Sequence, residues 1–365
     1  MENKNNIKNI VITIGFVIII FSIFIMNLVV KDKTISESER RTLQNFPKIT
    51  LDTVKSGDAM DKFEKYTTDQ FVLRDTFRSI KAMFNINVYG QKDNNKLFQK
   101  DDAIYKMDYP LSETNLNKSL DKILNIYNKY LKNKNMNIYF SIIPEKNYYL
   151  ENDDHLKIDY NKVKTTANNK LKTFTYIDIW NDLTLEDYYR TDLHWKQESL
   201  NKVVSTLEQN MNLNSTQSNV YTINSLGDFY GTYYGQLATN VKPDTLYTLT
   251  NDTILNATVY NYENKKTGPM YTNETSADRY DTYLYGAVPL LRIDNPNAKT
   301  TKDLIIFRDS FGSSLAPLLI ENYSSIILVD LRYISSNLLE QYIEFNNQDV
   351  LFIYSTLILN QNVLK

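Results

Sequence analysis

Residues 303–312 read Asp-Leu-Ile-Ile-Phe-Arg-Asp-Ser-Phe-Gly, and this stretch decides the fold. Asp303–Phe307 is a short apolar run, too short for a helix and without the alternation of a half-wet strand. It predicts a strand buried on both faces. A polar turn follows, and Ser313–Asn322 reads as a helix. The same alternation continues downstream, with Ser325–Asp330 as strand, Ile334–Phe345 as helix and Val350–Tyr354 as strand. Upstream, Asn137–Ile143 predicts a strand, Tyr160–Leu171 a helix and Phe174–Trp180 a strand. Leu116, Leu120, Ile123, Leu124, Tyr127 and Leu131 recur at helical spacing. Repeated strand–helix alternation implies an α/β fold, a mostly parallel sheet with helices on both faces.

Ser310 falls between a strand end and a helix start. Ligands of open α/β sheets bind beyond the carboxyl ends of the strands, and N–H groups at a helix start can receive an oxyanion. A serine there is placed as a nucleophile. The competing reading is an ordinary helix N-cap. A second stretch, Tyr189-Arg190-Thr191-Asp192-Leu193-His194-Trp195, bears on that choice. It holds one of only two histidines in 365 residues. In an extended segment Asp192 and His194 face the same way, so a proton shuttle and its orienter address one site. Together with Ser310 they make a Ser-His-Asp set, and chain order is no objection because triads recur in several orders. Gly312 lets a substrate approach closely. Lys146, Trp195 and Arg308 are further candidates for oxyanion or substrate contacts.

Composition narrows the partners. A formal charge of -2, without a basic patch, argues against nucleic acid. Glycine is scarce, at 9 residues, and neither a GxGxxG nor a GxxxxGK phosphate loop occurs. With no cysteine, disulfides and thiolate metal sites are excluded. A metal site on Asp192 and His194 would need carboxylates alone to complete it. The other histidine, His155, stands in the polar run Glu151–His155 and reads as a solvated loop residue. No cofactor and no metal are indicated.

Residues 1–10 are polar, and residues 11–30 form an apolar run long enough for one bilayer crossing. The run is long for a signal peptide, and no small-residue cleavage site follows. A short cationic leader usually stays inside, so residues 1–10 are read as cytoplasmic, 11–30 as a signal anchor, and the rest as extracytoplasmic. Residues 31–57 form a connector. Residues 58–89 read as one amphipathic helix within an N-terminal helical part, 58–113, of a domain spanning 58–365. That helix packs on the main domain or offers a surface to a membrane partner. Residues 212–302 lose helical periodicity and are rich in Tyr, Thr and Asn. They read as a β- and loop-rich insertion, whose tyrosines either stack on sugar rings or simply pack.

These motifs carry a resemblance. The stretch TDLHW resembles the motif of the bacterial DHHW proteins, with Leu193 where that motif has its first histidine. These proteins in turn resemble the SGNH-like domains of the alginate O-acetylation proteins AlgJ and AlgX. The connector Glu39-Arg40-Arg41 through Phe46-Pro47, the Phe71/Arg74 helix and Pro144-Glu145-Lys146 belong to the same pattern. So do Phe229–Tyr234, Arg308-Asp309-Ser310-Phe311-Gly312 and Val329–Arg332. The resemblance implies an SGNH-hydrolase-like three-layer sandwich with Ser310 as nucleophile, His194 as base and Asp192 as orienter. It also implies acetyl transfer to a cell-envelope polysaccharide or exopolysaccharide, with a membrane-bound O-acyltransferase delivering the acetyl group. Water as acceptor would make the chain an esterase. The rival expectation is a non-catalytic glycan-binding or assembly subunit of a polysaccharide-modification complex.

Overall fold

The computed structural model describes residues 2–36, 38–39, 41–151, 155–214, 220–239, 241–272, 276 and 278–365. Arg40 of the connector motif and Asn152–Asp154 of the polar run before His155 lie outside the described residues. The chain divides into two compact units, residues 1–91 with 235–239, and residues 92–234 with 240–365.

The first unit begins with helix α1, Glu2–Val29. Its Ile7–Val29 part, 23 residues of mean hydropathy 2.7 with none of that window buried, is long and apolar enough to cross a membrane. The sequence reading has one helix over 58–89, but the structure has two, α2 (Asp58–Asp69) and α3 (Arg74–Met83), followed by a wider turn over Phe84–Val88. Local periodicity is overridden at Gln70–Leu73. There the Gln70 side chain and the Val72 N–H are taken by Lys33 and Asn27, and Leu73 turns into the left-handed region at φ 58°.

The second unit is built on an eight-stranded sheet. In chain order the strands are β1 (Asn137–Ile143), β2 (Thr175–Tyr176), β3 (Thr258–Asn261), β4 (Lys266–Gly268), β5 (Leu290–Asp294), β6 (Asp303–Arg308), β7 (Ser325–Val329) and β8 (Asp349–Ser355). Across the sheet they run β4-β3-β5-β7-β6-β8-β1-β2. The five from β7 to β2 are mutually parallel, and β5, β3 and β4 add antiparallel pairs. Register is fixed by apolar pairs across the centre: Ile305 lies opposite Ile327 and Val350, and Phe307 opposite Val329 and Phe352. β7 and β8 are buried at every residue, as strands covered on both faces must be. The cover comes from α4 (Glu113–Ile126), α5 (Tyr160–Lys170), α6 (Asn201–Asn210) and α7 (Phe311–Leu319). Leu116, Leu120 and Ile123 form the buried stripe of α4, and α7 is buried along its whole length.

The chain leaves β6 for β7 on one side and returns to β8 on the other. The carboxyl end of β6 is therefore a point where connections part, the usual mouth of an α/β site. Ser310 stands there.

Other elements differ from the sequence reading in instructive ways. Residues 212–302 are not merely an excursion. They supply β3, β4 and β5 to the main sheet and form a separate hairpin, 222–229 with 244–250. Phe174–Trp180 keeps only two strand residues. Ile334–Phe345 forms only a 3₁₀ turn over Ser336–Gln341, and Ser336 N–H donates to the Lys365 carbonyl. Helix α7 ends as α-helix at Leu319 and tightens into a 3₁₀ turn over Ile320–Asn322.

Candidate functional site

The Asp192–His194 segment is a tight bend rather than an extended strand. His194 N–H donates to Asp192 Oδ1 at 3.0 Å, and Tyr189 N–H donates to the His194 carbonyl at 3.1 Å. The bend brings the imidazole onto its own neighbour: His194 Nδ1 lies 2.5 Å from Asp192 Oδ1. On the other side, His194 Nε2 lies 2.7 Å from Ser310 Oγ. A carboxylate accepts from Nδ1–H, which leaves Nε2 as the acceptor for the serine hydroxyl. Asp192 and His194 are buried, whereas Ser310 is only partly so. Ser310 precedes α7 in the N-cap position, yet its side chain makes no capping bond. Its Oγ is engaged by His194 instead.

The hairpin ends hold the bend from both sides. Asp244, at the start of one strand, accepts from Arg190 N–H at 2.9 Å, Thr191 N–H at 2.8 Å and Thr191 Oγ1 at 2.6 Å. Just beyond the other strand, Thr232 N–H donates to Asp192 Oδ2 at 2.5 Å. Gly231 is required by space, since a Cβ there would fall 2.3 Å from the Asp192 Cβ and 2.4 Å from the Thr191 carbonyl oxygen.

Two residues important to this geometry escaped the sequence reading. Asp244 gives no signal beyond being one acid among many. Tyr280 stacks flat on the His194 ring, with centroids 3.8 Å apart and planes 7° apart. Its hydroxyl lies 2.8 Å from Ser314 Oγ. Nothing distinguishes Tyr280 in a chain with 28 tyrosines.

The four residues read as oxyanion or substrate contacts take internal roles. Trp195 is fully buried and donates its indole N–H to Ser314 Oγ at 2.9 Å and the Phe311 carbonyl at 3.2 Å. Lys146 is buried, and its ammonium donates to the carbonyls of Tyr189 (2.9 Å), Arg190 (3.2 Å) and Asp192 (2.8 Å). It therefore ties the backbone of the bend together from beneath. Burial lowers the Lys146 pKa to about 7, against the pull of Asp192, Asp244 and Glu145. Its neighbour Glu145 is raised by burial to about 7, against bonds from the Tyr160 hydroxyl and Asn147 N–H and the charge of Lys146.

Arg308 is also buried, 3.5 Å from Asp330, and burial pulls its pKa below the usual range, with Asp330 opposing. Gly312 makes room for it: a Cβ on Gly312 would lie 2.7 Å from the Arg308 Cβ. The Gly312 N–H is spent on the Asp309 carbonyl at 3.0 Å, and Phe311 N–H on Asp309 Oδ1 at 3.1 Å. Gly312 is thus not an oxyanion donor in this arrangement. Among the described residues no acceptor takes the Ser310 N–H.

His155 stands in a partly exposed bend, with its Nε2 3.2 Å from the Lys92 carbonyl oxygen. Its ring stacks on Phe98 with centroids 3.5 Å apart. No group of three or more His, Asp or Glu side chains suited to a metal ion occurs among the described residues.

Comparison with known proteins bears on the fold. A family model described as DHHW protein matches residues 151–329, which include Asp192, His194 and Ser310. No curated protein sequence matches. A crystal structure of a DHHW family protein from Eubacterium siraeum superposes with a TM-score of 0.59 at 18% identity, covering 75% of this chain and 99% of that one. The structure of Bacillus cereus PatB1 with a sulfonyl adduct superposes with a TM-score of 0.56 at 18% identity, over 74% and 96% of the two chains. The O-acetyltransferase domain of Pseudomonas putida AlgJ overlaps more weakly, with a TM-score of 0.45 at 12% identity over 72% and 91%, too distant to carry an argument. Residues 151–329 are thus similar to the DHHW family, and the α/β fold is similar to those of the DHHW family protein and of PatB1.

Proposed function

We propose that the chain is a membrane-anchored serine O-acetyltransferase acting outside the cytoplasmic membrane on a cell-envelope or exported polysaccharide. The observation that carries this reading is the continuous row Asp192–His194–Ser310, with contacts of 2.5 and 2.7 Å and the serine hydroxyl free of any capping role. Ser310 Oγ attacks the carbonyl carbon of an acetyl ester while His194 Nε2 takes its proton. The oxyanion faces the Ser310 N–H. Collapse expels the donor alcohol, which receives the proton from His194, and leaves acetyl-Ser310. A sugar hydroxyl then attacks, His194 takes its proton, and the serine is regenerated. Asp192 keeps the imidazole in the tautomer that both steps need and stabilises its charged form.

The fold shared with PatB1, whose structure was solved with a sulfonyl adduct, supports a reactive centre on this scaffold. The apolar Ile7–Val29 helix supports anchoring, and the acetyl group would come from a membrane-bound acyltransferase. Incubation of the full chain in detergent with a chromogenic acetyl ester tests the reading. Turnover should be lost in Ser310→Ala and in His194→Ala and should be indifferent to chelator. Folded wild-type protein that neither turns over the ester nor gains an acetyl group would favour the glycan-binding or assembly role.

A further inference from the structure

Helix α3 is turned inside out. Its charged row faces inward: Arg74 Nη1 lies 2.6 Å and Arg78 Nη2 3.5 Å from the Glu39 carboxylate. Arg78 also donates to the Gly235 carbonyl at 2.8 Å. Ala82, next on that row, is fully buried. The opposite row is apolar and faces outward. Leu73, Phe77, Ile80, Phe84 and Val88, at spacings of four and three, are 57, 45, 41, 44 and 61% exposed. An ordinary surface helix does the reverse, and a contiguous apolar face of this kind marks a contact surface.

The start of this row is pinned to the end of α1. Val72 N–H donates to Asn27 Oδ1 at 2.9 Å, and Gln70 exchanges two bonds of 2.9 Å with the Lys33 backbone. The Tyr66 hydroxyl reaches Asp32 at 3.2 Å. Asn27 is two residues inside the last residue of α1, about 3 Å along its axis. The apolar row therefore begins at the level where α1 ends, beside Lys31 and Lys33, whose ammonium groups suit a headgroup layer. Phe46, exposed and edge-packed on Phe63 and Tyr66, extends the same apolar character.

We propose that Leu73–Val88 is a second membrane contact. It lies in the plane of the bilayer surface from which α1 emerges, with its apolar row in the acyl boundary and its arginines held to the protein. The proposal rests on α1 crossing the membrane. One spanning helix leaves a protein free to swivel and tilt. A second attachment along the surface fixes its attitude.

The absence of cysteine makes the test clean. The full chain is prepared as single-cysteine variants Phe77→Cys, Ile80→Cys, Phe84→Cys, Ile18→Cys on α1 and Gln209→Cys on α6. Each carries an environment-sensitive fluorophore in phosphatidylcholine vesicles. The three labels on the row should be blue-shifted and quenched by nitroxides on the lipid chains, as the Ile18 label is. The Gln209 label should respond only to aqueous iodide. Row labels that behave like Gln209 while Ile18 is quenched by lipid would overturn the proposal. So would row labels shielded from both quenchers, which would mean a protein covers the row. An Ile18 label indifferent to lipid quencher removes the anchor itself, and the proposal with it.

Discussion

Single residues divide here into those that would react and those that hold them. In the proposed mechanism Ser310, His194 and Asp192 form the reacting row, and their substitution has distinct expected costs. Ser310→Ala and His194→Ala should abolish acetyl transfer while leaving the fold intact. Asp192→Asn, which keeps shape but upsets the imidazole tautomer, should lower kcat on the order of 10³–10⁴-fold. Wild-type-like turnover in Asp192→Asn would remove Asp192 from the account. Beneath them, Glu145 and Lys146 should leave a mark on stability. Glu145 is raised in the folded state to about 7 from 4.5, so what it contributes is complete below the lower value and lost as pH rises through the higher. Lys146, lowered to about 7 from 10.5, works the other way: its penalty is complete below the lower value and relieved as pH rises toward the upper one. Glu145→Gln deletes the first effect and, by removing one of the charges that raise Lys146, lets the second begin at a lower pH, which acts in the same direction. Its melting temperature relative to wild type should therefore climb between about pH 5 and pH 8. A pH-independent difference between the two proteins would show that Glu145 is not the buried acid described.

Among the elements, sequence and structure part company where long-range contacts decide. The buried strands β1, β6, β7 and β8 were legible because a strand covered on both faces needs nothing but apolar residues. The pairing of Asp192 with His194 was legible from spacing, but its cause was not. The segment is a bend closed by the Asp192 carboxylate on His194 N–H, not an extended run. The role of the Tyr-rich stretch was hidden for a related reason. Its hairpin matters through Asp244 and Gly231–Thr232, which meet the bend only in three dimensions. Gly231→Ala should accordingly displace Asp192. We expect a fall in kcat of about 10²-fold, the usual cost of an ångström-sized misplacement, with KM little changed. Unaltered kinetics would mean that the bend tolerates the extra methyl group. Tyr280 stayed invisible because stacking on an imidazole leaves no trace in the order of residues.

For the whole molecule, the proposals assign the two units different tasks. One carries the apolar α1 and the inverted α3, the other the sheet and the Ser310 site. An anchored protein should stay with the membrane pellet through alkaline carbonate washing and leave it only in detergent. Release by carbonate would contradict anchoring by α1. The central claim is narrower and is tested by locating an acyl group. The full chain, incubated with an activated acetyl ester, is digested and its peptides are sequenced by tandem mass spectrometry. The account predicts one acetyl group on the peptide carrying Asp309-Ser310-Phe311, assigned to Ser310, absent from His194→Ala and removed when an acceptor sugar is added. An acetyl group found only on lysines, or equally abundant in His194→Ala, would contradict it.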